Sequence, residues 1–190
     1  EFKVEVNPHD RVMTREELET AVKDIDGLLC LLTDSIDSEL LELNTDLKVI
    51  ANYAVGYNNI DVDACTKKEI KVSNTPGVLT DTTADFAWTL LMATARRIVE
   101  ADRFTRAGKY KGWGPMMFLG GDVYGKTLGI IGLGRIGQGV AKRAVCGFDM
   151  EVLYHDVERK PELEERLDME YRDLEVLLKG SDFISVHVPL

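Results

Sequence analysis

Cysteine and proline are scarce in this sequence of 190 residues, which has three cysteines and five prolines. Cys30, Cys65 and Cys146 lie far apart, and none stands in the Cys-x-x-Cys or Cys/His spacing of a metal site. We therefore expect free, structural thiols and no bound metal. No apolar run approaches the roughly 18 residues of a membrane-spanning helix, and the first residues lack a signal-peptide pattern. These absences favour a cytoplasmic protein that makes no membrane contact.

Basic residues are also few, with 23 Lys and Arg against 33 Asp and Glu and a net charge of −10 at pH 7. This balance disfavours attraction to phosphate backbones, and we expect no nucleic-acid partner. Apolar residues make up 45% of the chain and charged residues 29%. That composition is typical of an ordinary globular protein and excludes collagen-like and disordered chains.

The first half of the chain alternates short apolar runs with helical patterns. Thr14 and Glu17 form a capping box, which predicts the start of a helix. The continuous apolar run over residues 27–32 is typical of a strand buried on both faces. The expected strands are 2–6, 27–32, 47–54 and 70–73, and the further expected helices are 38–43 and 61–68. Strands that alternate with helices predict a parallel sheet.

The second half begins with two successive helices, expected over about residues 80–106. Their wide apolar stripe predicts a core-facing surface, and its members are Phe86, Leu90, Leu91, Ala93 and Ile98. Residues 107–121 combine Gly, Pro and aromatic residues without a period, which predicts an ordered loop. The remaining expected elements are strands 126–133, 150–156 and 182–188 and helices 135–147 and 173–179. This pattern indicates a second parallel sheet, of three strands.

A glycine-rich turn, Gly132-Leu133-Gly134-Arg135-Ile136-Gly137, follows the first strand of this second sheet and opens a helix. In that context the G-x-G-x-x-G spacing predicts a dinucleotide site. Gly132 would make the tight turn, Gly134 would let the backbone approach the pyrophosphate, and Gly137 would allow close packing of helix on strand. The N–H groups of Arg135 and Ile136, aided by the helix dipole, would face the anion. The alternative is a tight strand-to-helix turn without a ligand.

Asp156 ends the next strand, about 20 residues after the turn, where a dinucleotide site has its ribose-binding acid. Its carboxylate would accept hydrogen bonds from both ribose hydroxyls of NAD and repel the 2′-phosphate of NADP. NAD is therefore the expected cofactor. Arg159 and Lys160 follow closely and could bind a 2′-phosphate, so NADP stays possible. In the alternative interpretation Asp156 is only a solvated strand end.

Three segments together resemble one enzyme family. With residues 52–61, 74–85 and 132–137 in one chain, the sequence is similar to the D-isomer-specific 2-hydroxyacid dehydrogenases, above all to their glyoxylate/hydroxypyruvate reductase (glycerate dehydrogenase) branch. The resemblance implies an α/β protein with a flavodoxin-like substrate domain and a Rossmann domain, both with parallel sheets and both incomplete in this chain. It implies a substrate domain at 1–98, an interdomain helix and dimerisation arm at 99–125, and the first half of an NAD-binding domain at 126–190.

The function implied by this resemblance is hydride transfer from NAD(P)H to a small 2-oxo acid, turning glyoxylate or hydroxypyruvate into glycolate or D-glycerate. The family's catalytic His, Arg and Glu match no position here, so we expect no catalytic residue in this chain. The chain starts without Met and ends just after a strand, and we expect it to be a fragment. The alternatives are a dehydrogenase for another D-2-hydroxy acid, such as lactate or phosphoglycerate, and a non-catalytic NADH-sensing binding protein.

The resemblance also implies roles for positions outside the glycine-rich turn. Backbone N–H groups of the loop at Val55 and Gly56 would bind the substrate carboxylate, and a glycine loop at the carboxyl end of a parallel strand suits an anion. A plain turn is the alternative. Leu79 and Thr83 match positions near the nicotinamide and lie on one helix face. Their alternative roles are core packing by Leu79 and helix capping by Thr80 or Thr83.

Two further implied sites lie at the end of the chain and in the loop before the second sheet. Val188 and Pro189 match a strand end that flanks the adenosine, whereas the neighbouring His187 is expected to be structural. The arm at 107–119 matches a segment that packs on a second subunit. Its apolar side chains, Trp113 and Met116 among them, would form an unusual patch on a monomer, so we expect a homodimer.

Overall fold

The structure is a computed structural model that describes residues 3–188. The chain divides into two units, one up to Val78 and one from Leu79 onward. Each unit contains its own parallel sheet. By their packing, residues 79–98 belong to the second unit. The resemblance instead implies a substrate domain that ends at residue 98, and this boundary stays a prediction.

The first unit is a three-stranded parallel sheet with three helices. Its elements are α1 (Arg15–Ala21), β1 (Gly27–Cys30), α2 (Ser38–Glu42), β2 (Val49–Asn52), α3 (Val62–Lys67) and β3 (Lys71–Ser73). The strand order is β1-β2-β3. The predicted capping box is confirmed, since the Thr14 hydroxyl accepts from the Glu17 N–H and the Glu17 carboxylate accepts from the Thr14 N–H. The predicted helices and inner strands of this half are confirmed, with shorter strands.

The predicted burial of the run 27–32 on both faces is wrong. Leu28 and Cys30 face the core that the helices build with Ile50, whereas Leu29 is 73% exposed. Successive strand residues point to opposite faces, and the helices of residues 3–78 pack on only one of them. The predicted first strand is wrong too: residues 3–6 form none, because no neighbouring strand pairs with them. Phe2 lies outside the described residues.

The second unit begins with two helices and continues as a four-stranded parallel sheet. Its elements are α4 (Thr80–Ala95), α5 (Ile98–Arg106), β4 (Thr127–Ile131), α6 (Arg135–Phe148), β5 (Glu151–His155), α7 (Pro161–Leu167), β6 (Met169–Tyr171), α8 (Leu174–Gly180) and β7 (Phe183–Val186). The strand order is β6-β5-β4-β7. The expectation of three strands is wrong, because the sequence analysis missed the short helix α7 and the short strand β6. Pro161, which stands in the first turn of α7, is the sequence signal that could have predicted the start of this helix.

The order of this sheet matters for function. β4 pairs with β5 on one side and with β7 on the other, all in parallel. The chain therefore reverses its direction of winding at β4, which is the topological switch point of a doubly wound sheet. Ligands of such sheets bind at the carboxyl ends of the strands that flank the switch point.

The core of the second unit differs in one respect from the predicted stripe. α4 packs on α6 through small residues. Ala84 is fully buried, and a Cβ placed on Gly139 would lie 2.9 Å from the Ala84 Cβ. Phe86, Leu90 and Ile98 are instead more than half exposed. Their burial was predicted wrongly, because the close approach of α6 turns the alanine face of α4 inward. Residues 107–121 form the predicted loop, without helix or strand.

Cys30 and Cys65 are buried and Cys146 is exposed, and all three are free thiols. Within residues 3–188, no group of His, Cys, Asp and Glu side chains is arranged to hold a metal ion. Over the same residues, no helix has the length and apolar character needed to cross a bilayer.

Candidate functional site

The glycine-rich turn connects β4 to α6 and lies at the switch point of the second sheet. Gly132 has φ +91°, a conformation that favours glycine. A Cβ on Gly132 would lie 2.7 Å from the carbonyl oxygen of His187 and 2.9 Å from Cγ1 of Val188. The end of β7 therefore closes directly over the turn, and only glycine fits between them.

The start of α6 leaves room for an anion. Gly134 is the N-cap residue, has no side-chain cap, and its Cβ position has no atom within 4 Å. The N–H groups of Arg135 and Ile136 have no acceptor among residues 3–188. A Cβ on Gly137 would overlap the carbonyl oxygen of Gly132, so helix and strand pack too closely for any side chain there. Open space, unpaired N–H groups and the dipole of a 14-residue helix together fit a pyrophosphate.

Asp156 follows the end of β5 and supports this turn. Its Oδ2 accepts a 2.6 Å hydrogen bond from the N–H of Leu133 and lies 3.3 Å from the Lys160 ammonium. Burial alone would raise the pKa of Asp156, but the bonds from Leu133 and Lys160 outweigh it and lower the pKa. Its side chain is only 13% exposed, so Asp156 is not a solvated strand end. Its Oδ1 accepts only a long 3.4 Å bond from Glu158 N–H and is available to a ribose hydroxyl.

The two basic residues after Asp156 are already paired. Arg159 makes two hydrogen bonds to Glu164, at 2.9 and 2.7 Å, and these help to lower the pKa of Glu164 to about 2. The Lys160 ammonium donates to the Leu133 carbonyl at 2.9 Å as well as to Asp156. Both cations are thus paired, Arg159 with Glu164 of α7 and Lys160 with Asp156 and the glycine-rich turn, which weakens their predicted attraction for a 2′-phosphate.

Tyr154 is a residue that the sequence analysis missed. Its buried hydroxyl donates to Glu164 at 2.7 Å and accepts from the Lys160 backbone N–H at 2.7 Å. Burial raises the pKa of Tyr154 to about 12, so the hydroxyl keeps its proton. It fixes the conformation of the loop that carries Lys160. An aromatic residue two positions before the acidic strand end was the only available sequence signal.

The end of β7 lies beside the turn, and Val188 there is half exposed; its predicted place beside the adenosine stays a prediction. The His187 N–H donates to the Ile131 carbonyl at 2.7 Å, and its Nε2 lies 2.8 Å from the Ser185 hydroxyl. Burial lowers the pKa of His187, because it disfavours the charged ring. These contacts agree with a structural role for His187. Pro189 lies outside the described residues.

Leu79 and Thr83 begin α4, in the same unit as the glycine-rich turn. Leu79 is the N-cap residue, is 49% exposed, and its carbonyl accepts from the Thr83 N–H at 2.9 Å. Leu79 is therefore not a core residue, and no side chain caps the helix at Thr80 or Thr83. The two alternative roles are excluded, and a position near the nicotinamide stays a prediction.

Val55 and Gly56 lie in the first unit, in the loop that follows β2, the central strand of that sheet. Both residues are exposed, and their backbone N–H groups have no acceptor among residues 3–188. Two unpaired N–H groups at the carboxyl end of a parallel strand can bind a carboxylate.

A doubly wound parallel sheet with a glycine-rich turn at its switch point and an acid at the end of the adjacent strand defines a dinucleotide-binding domain. The comparison with protein families gives the same class. Residues 88–190 match the model of the D-isomer specific 2-hydroxyacid dehydrogenase, NAD binding domain. The chain belongs to the D-isomer specific 2-hydroxyacid dehydrogenases.

Several known proteins are similar to this chain. A glyoxylate reductase from Thermococcus gammatolerans is 56% identical over 193 residues, which cover 100% of this chain and 58% of that protein. The crystal structure of a Thermus thermophilus protein superposes with a TM-score of 0.89 at 44% identity, covering 95% of this chain and 56% of the other. D-Lactate dehydrogenase from Aquifex aeolicus, complexed with NAD and lactic acid, has a TM-score of 0.80 at 31% identity. The match covers 90% of this chain and 50% of that protein. The chain thus spans between 50% and 58% of the length of these relatives.

Proposed function

We propose that the whole protein is a reductase that transfers a hydride from NADH to the carbonyl carbon of glyoxylate or hydroxypyruvate. A proton is added to the carbonyl oxygen, and the products are glycolate or D-glycerate and NAD⁺. The observation that carries this proposal is the 56% identity to a glyoxylate reductase along the whole of this chain. The glycine-rich turn and the acid after β5 support the NADH part of it.

The pyrophosphate of the cofactor is held by the N–H groups of Arg135 and Ile136, in the space that Gly132, Gly134 and Gly137 leave open. Oδ1 of Asp156 accepts from the ribose. The preference for NAD over NADP is supported in two ways: despite its burial, hydrogen bonds lower the pKa of Asp156 and favour its carboxylate form, and both Arg159 and Lys160 already have carboxylate partners. Bound NADH supplies the hydride, and these residues only bind and orient it.

The remaining implied residues have separate roles in the two units. The N–H groups of Val55 and Gly56 bind the substrate carboxylate, Leu79 and Thr83 contact the nicotinamide end, and Val188 with Pro189 flanks the adenosine. The proton donor and the cationic substrate ligand are not among residues 3–188.

The protein acts as a homodimer through the arm at 107–119. Trp113 is 82% exposed and Met116 77%, and side chains of this size rarely stay in water on a monomer. Phe118, another apolar residue of this arm, instead packs on Phe104 with ring centroids 5.1 Å apart. A cytoplasmic location is supported by the three free thiols, which suit a reducing compartment.

The test is the loss of NADH absorbance when the protein produced from its complete reading frame is mixed with glyoxylate, hydroxypyruvate or pyruvate. We expect turnover with the first two and slower turnover with pyruvate. Faster turnover with pyruvate would instead make the protein a lactate dehydrogenase. NADH binding without turnover of any 2-oxo acid would contradict the reductase and favour an NADH-sensing protein.

A further inference from the structure

The loop after β2 is held by its carbonyl groups. The Val55 carbonyl accepts a 2.8 Å hydrogen bond from the side-chain amide of Asn74. The Gly56 carbonyl accepts a 2.7 Å bond from the side-chain amide of Asn52. The Ala54 carbonyl accepts from a backbone N–H at 2.9 Å. Three consecutive carbonyl groups therefore each have a donor from outside the loop.

These bonds orient N–H groups as well as carbonyls. A peptide unit is planar and trans, so the carbonyl of one residue and the N–H of the next point in opposite directions from one rigid plane. The bond from Asn74 to the Val55 carbonyl thus fixes the direction of the Gly56 N–H. The bond from Asn52 to the Gly56 carbonyl likewise fixes the Tyr57 N–H. These two N–H groups and that of Val55 belong to exposed residues and have no acceptor within the described part of the chain.

The Asn52 side chain is itself fixed by hydrogen bonds. It is 2% exposed, its Oδ1 accepts from the Cys30 thiol at 3.4 Å, and its amide also donates to Oδ1 of Asn59 at 3.1 Å. Burial raises the pKa of Cys30 to about 11, so the thiol keeps the proton that it donates. Every polar atom of Asn52 has a partner, which satisfies its burial and removes its rotational freedom.

We propose that Asn74 is a positioning residue that aims the Gly56 N–H at the substrate carboxylate, and that Asn52 does the same for the Tyr57 N–H. The substrate class is a small 2-oxo or 2-hydroxy carboxylate, and Tyr57 becomes a third backbone donor beside Val55 and Gly56. This inference rests on the proposed function. Neither asparagine touches the reacting atoms; each acts through the peptide unit that it holds.

The first test uses steady-state kinetics of Asn74→Ala and Asn74→Asp in the protein from its complete reading frame. Asn74→Asp keeps the size of the side chain but cannot donate, so both variants lose the bond. We expect KM for glyoxylate to rise about tenfold, which corresponds to about 1.4 kcal/mol, with KM for NADH unchanged. Asn58→Ala is the matched control, because Asn58 is in the same loop and its side chain makes no hydrogen bond within residues 3–188; its KM should not change.

The second test needs no activity. Backbone amide signals of Val55, Gly56 and Tyr57 are followed by NMR during a titration of the protein with oxalate, a planar mimic of the substrate. We expect all three signals to shift in the wild type and the Gly56 shift to be reduced in Asn74→Ala. Because Asn52 is buried, Asn52→Ala is compared with the wild type by thermal melting before its amide shifts are interpreted.

The outcomes separate this inference from the proposed function. If the wild type reduces glyoxylate but the Asn74 variants keep its KM, the positioning role is wrong and the reductase stands. If no 2-oxo acid is reduced while oxalate shifts the three amides, the anion site stands and the proposed reaction is wrong. Oxalate that shifts none of the three amides in the wild type overturns the inference.

Discussion

Replacing Asp156 is expected to change the choice of cofactor. In Asp156→Asn the side chain keeps an oxygen that can accept from the Leu133 N–H, now bonded at 2.6 Å, but loses its charge. A hydrogen bond from a ribose hydroxyl to a charged group contributes about 1.5–3 kcal/mol. The dissociation constant for NADH should therefore rise about 10- to 150-fold.

The same change should favour NADPH. The Lys160 ammonium, 3.3 Å from Oδ2 of Asp156, loses its anionic partner and keeps only its bond to the Leu133 carbonyl, so its charge can attract a 2′-phosphate. We expect the NADPH dissociation constant to fall in Asp156→Asn and to return to the wild-type value in the double variant with Lys160→Met. Asp168→Asn is the matched control, because Asp168 is an exposed residue of the same unit and the charge change is identical.

Fluorescence titrations of the wild type and the three variants with NADH and NADPH measure these constants. The reasoning is refuted if the ratio of the two dissociation constants stays unchanged in Asp156→Asn, or if Asp168→Asn shifts it equally. If Asp156→Asn binds neither NADH nor NADPH, the role of Asp156 is to hold the glycine-rich turn through the Leu133 N–H and not to bind the ribose.

Three further predictions concern stability and assembly. Gly137→Ala should lower the free energy of unfolding by about 1–3 kcal/mol in urea denaturation, because its methyl group would overlap the Gly132 carbonyl; an unchanged midpoint contradicts this. Bonds from Arg159 lower the pKa of Glu164 to about 2, so the ionised carboxylate stabilises the fold fully above its unfolded pKa of about 4.3 and less as the pH falls towards 2. The melting temperatures of wild type and Glu164→Gln should therefore converge on acidification, and a constant gap would refute the pairing. Trp113→Lys should turn a dimer into a monomer in sedimentation, and equal masses would count against the arm.

The sequence predicted the local elements whose causes are local. The capping box at Thr14 needs only residues within one helical turn, and the structure confirms it. The glycine-rich turn was predicted with the same bounds, because a conformation such as that of Gly132 is available to few residues other than glycine. The alternation of strand and helix predicted two parallel sheets, which are present.

Other features depended on neighbours that are distant in sequence. The exposure of Leu29 and Phe86 reflects which face the helices cover, and apolar patterning does not encode that. The short elements α7 and β6 have little periodicity of their own, and the pairing of β6 with β5 defines them.

What the sequence alone determined was the cofactor class and the position of the turn that binds it, since both depend on backbone conformations that a few residue types permit. The tertiary structure alone decided what surrounds that turn. It placed β7 against Gly132, brought the Asp156 carboxylate to the Leu133 N–H, and brought the Asn74 side chain to the Val55 carbonyl. Hydrogen bonds between residues about 20 or more positions apart depend on the packed strand order, and the pattern of residue types along the chain does not specify it.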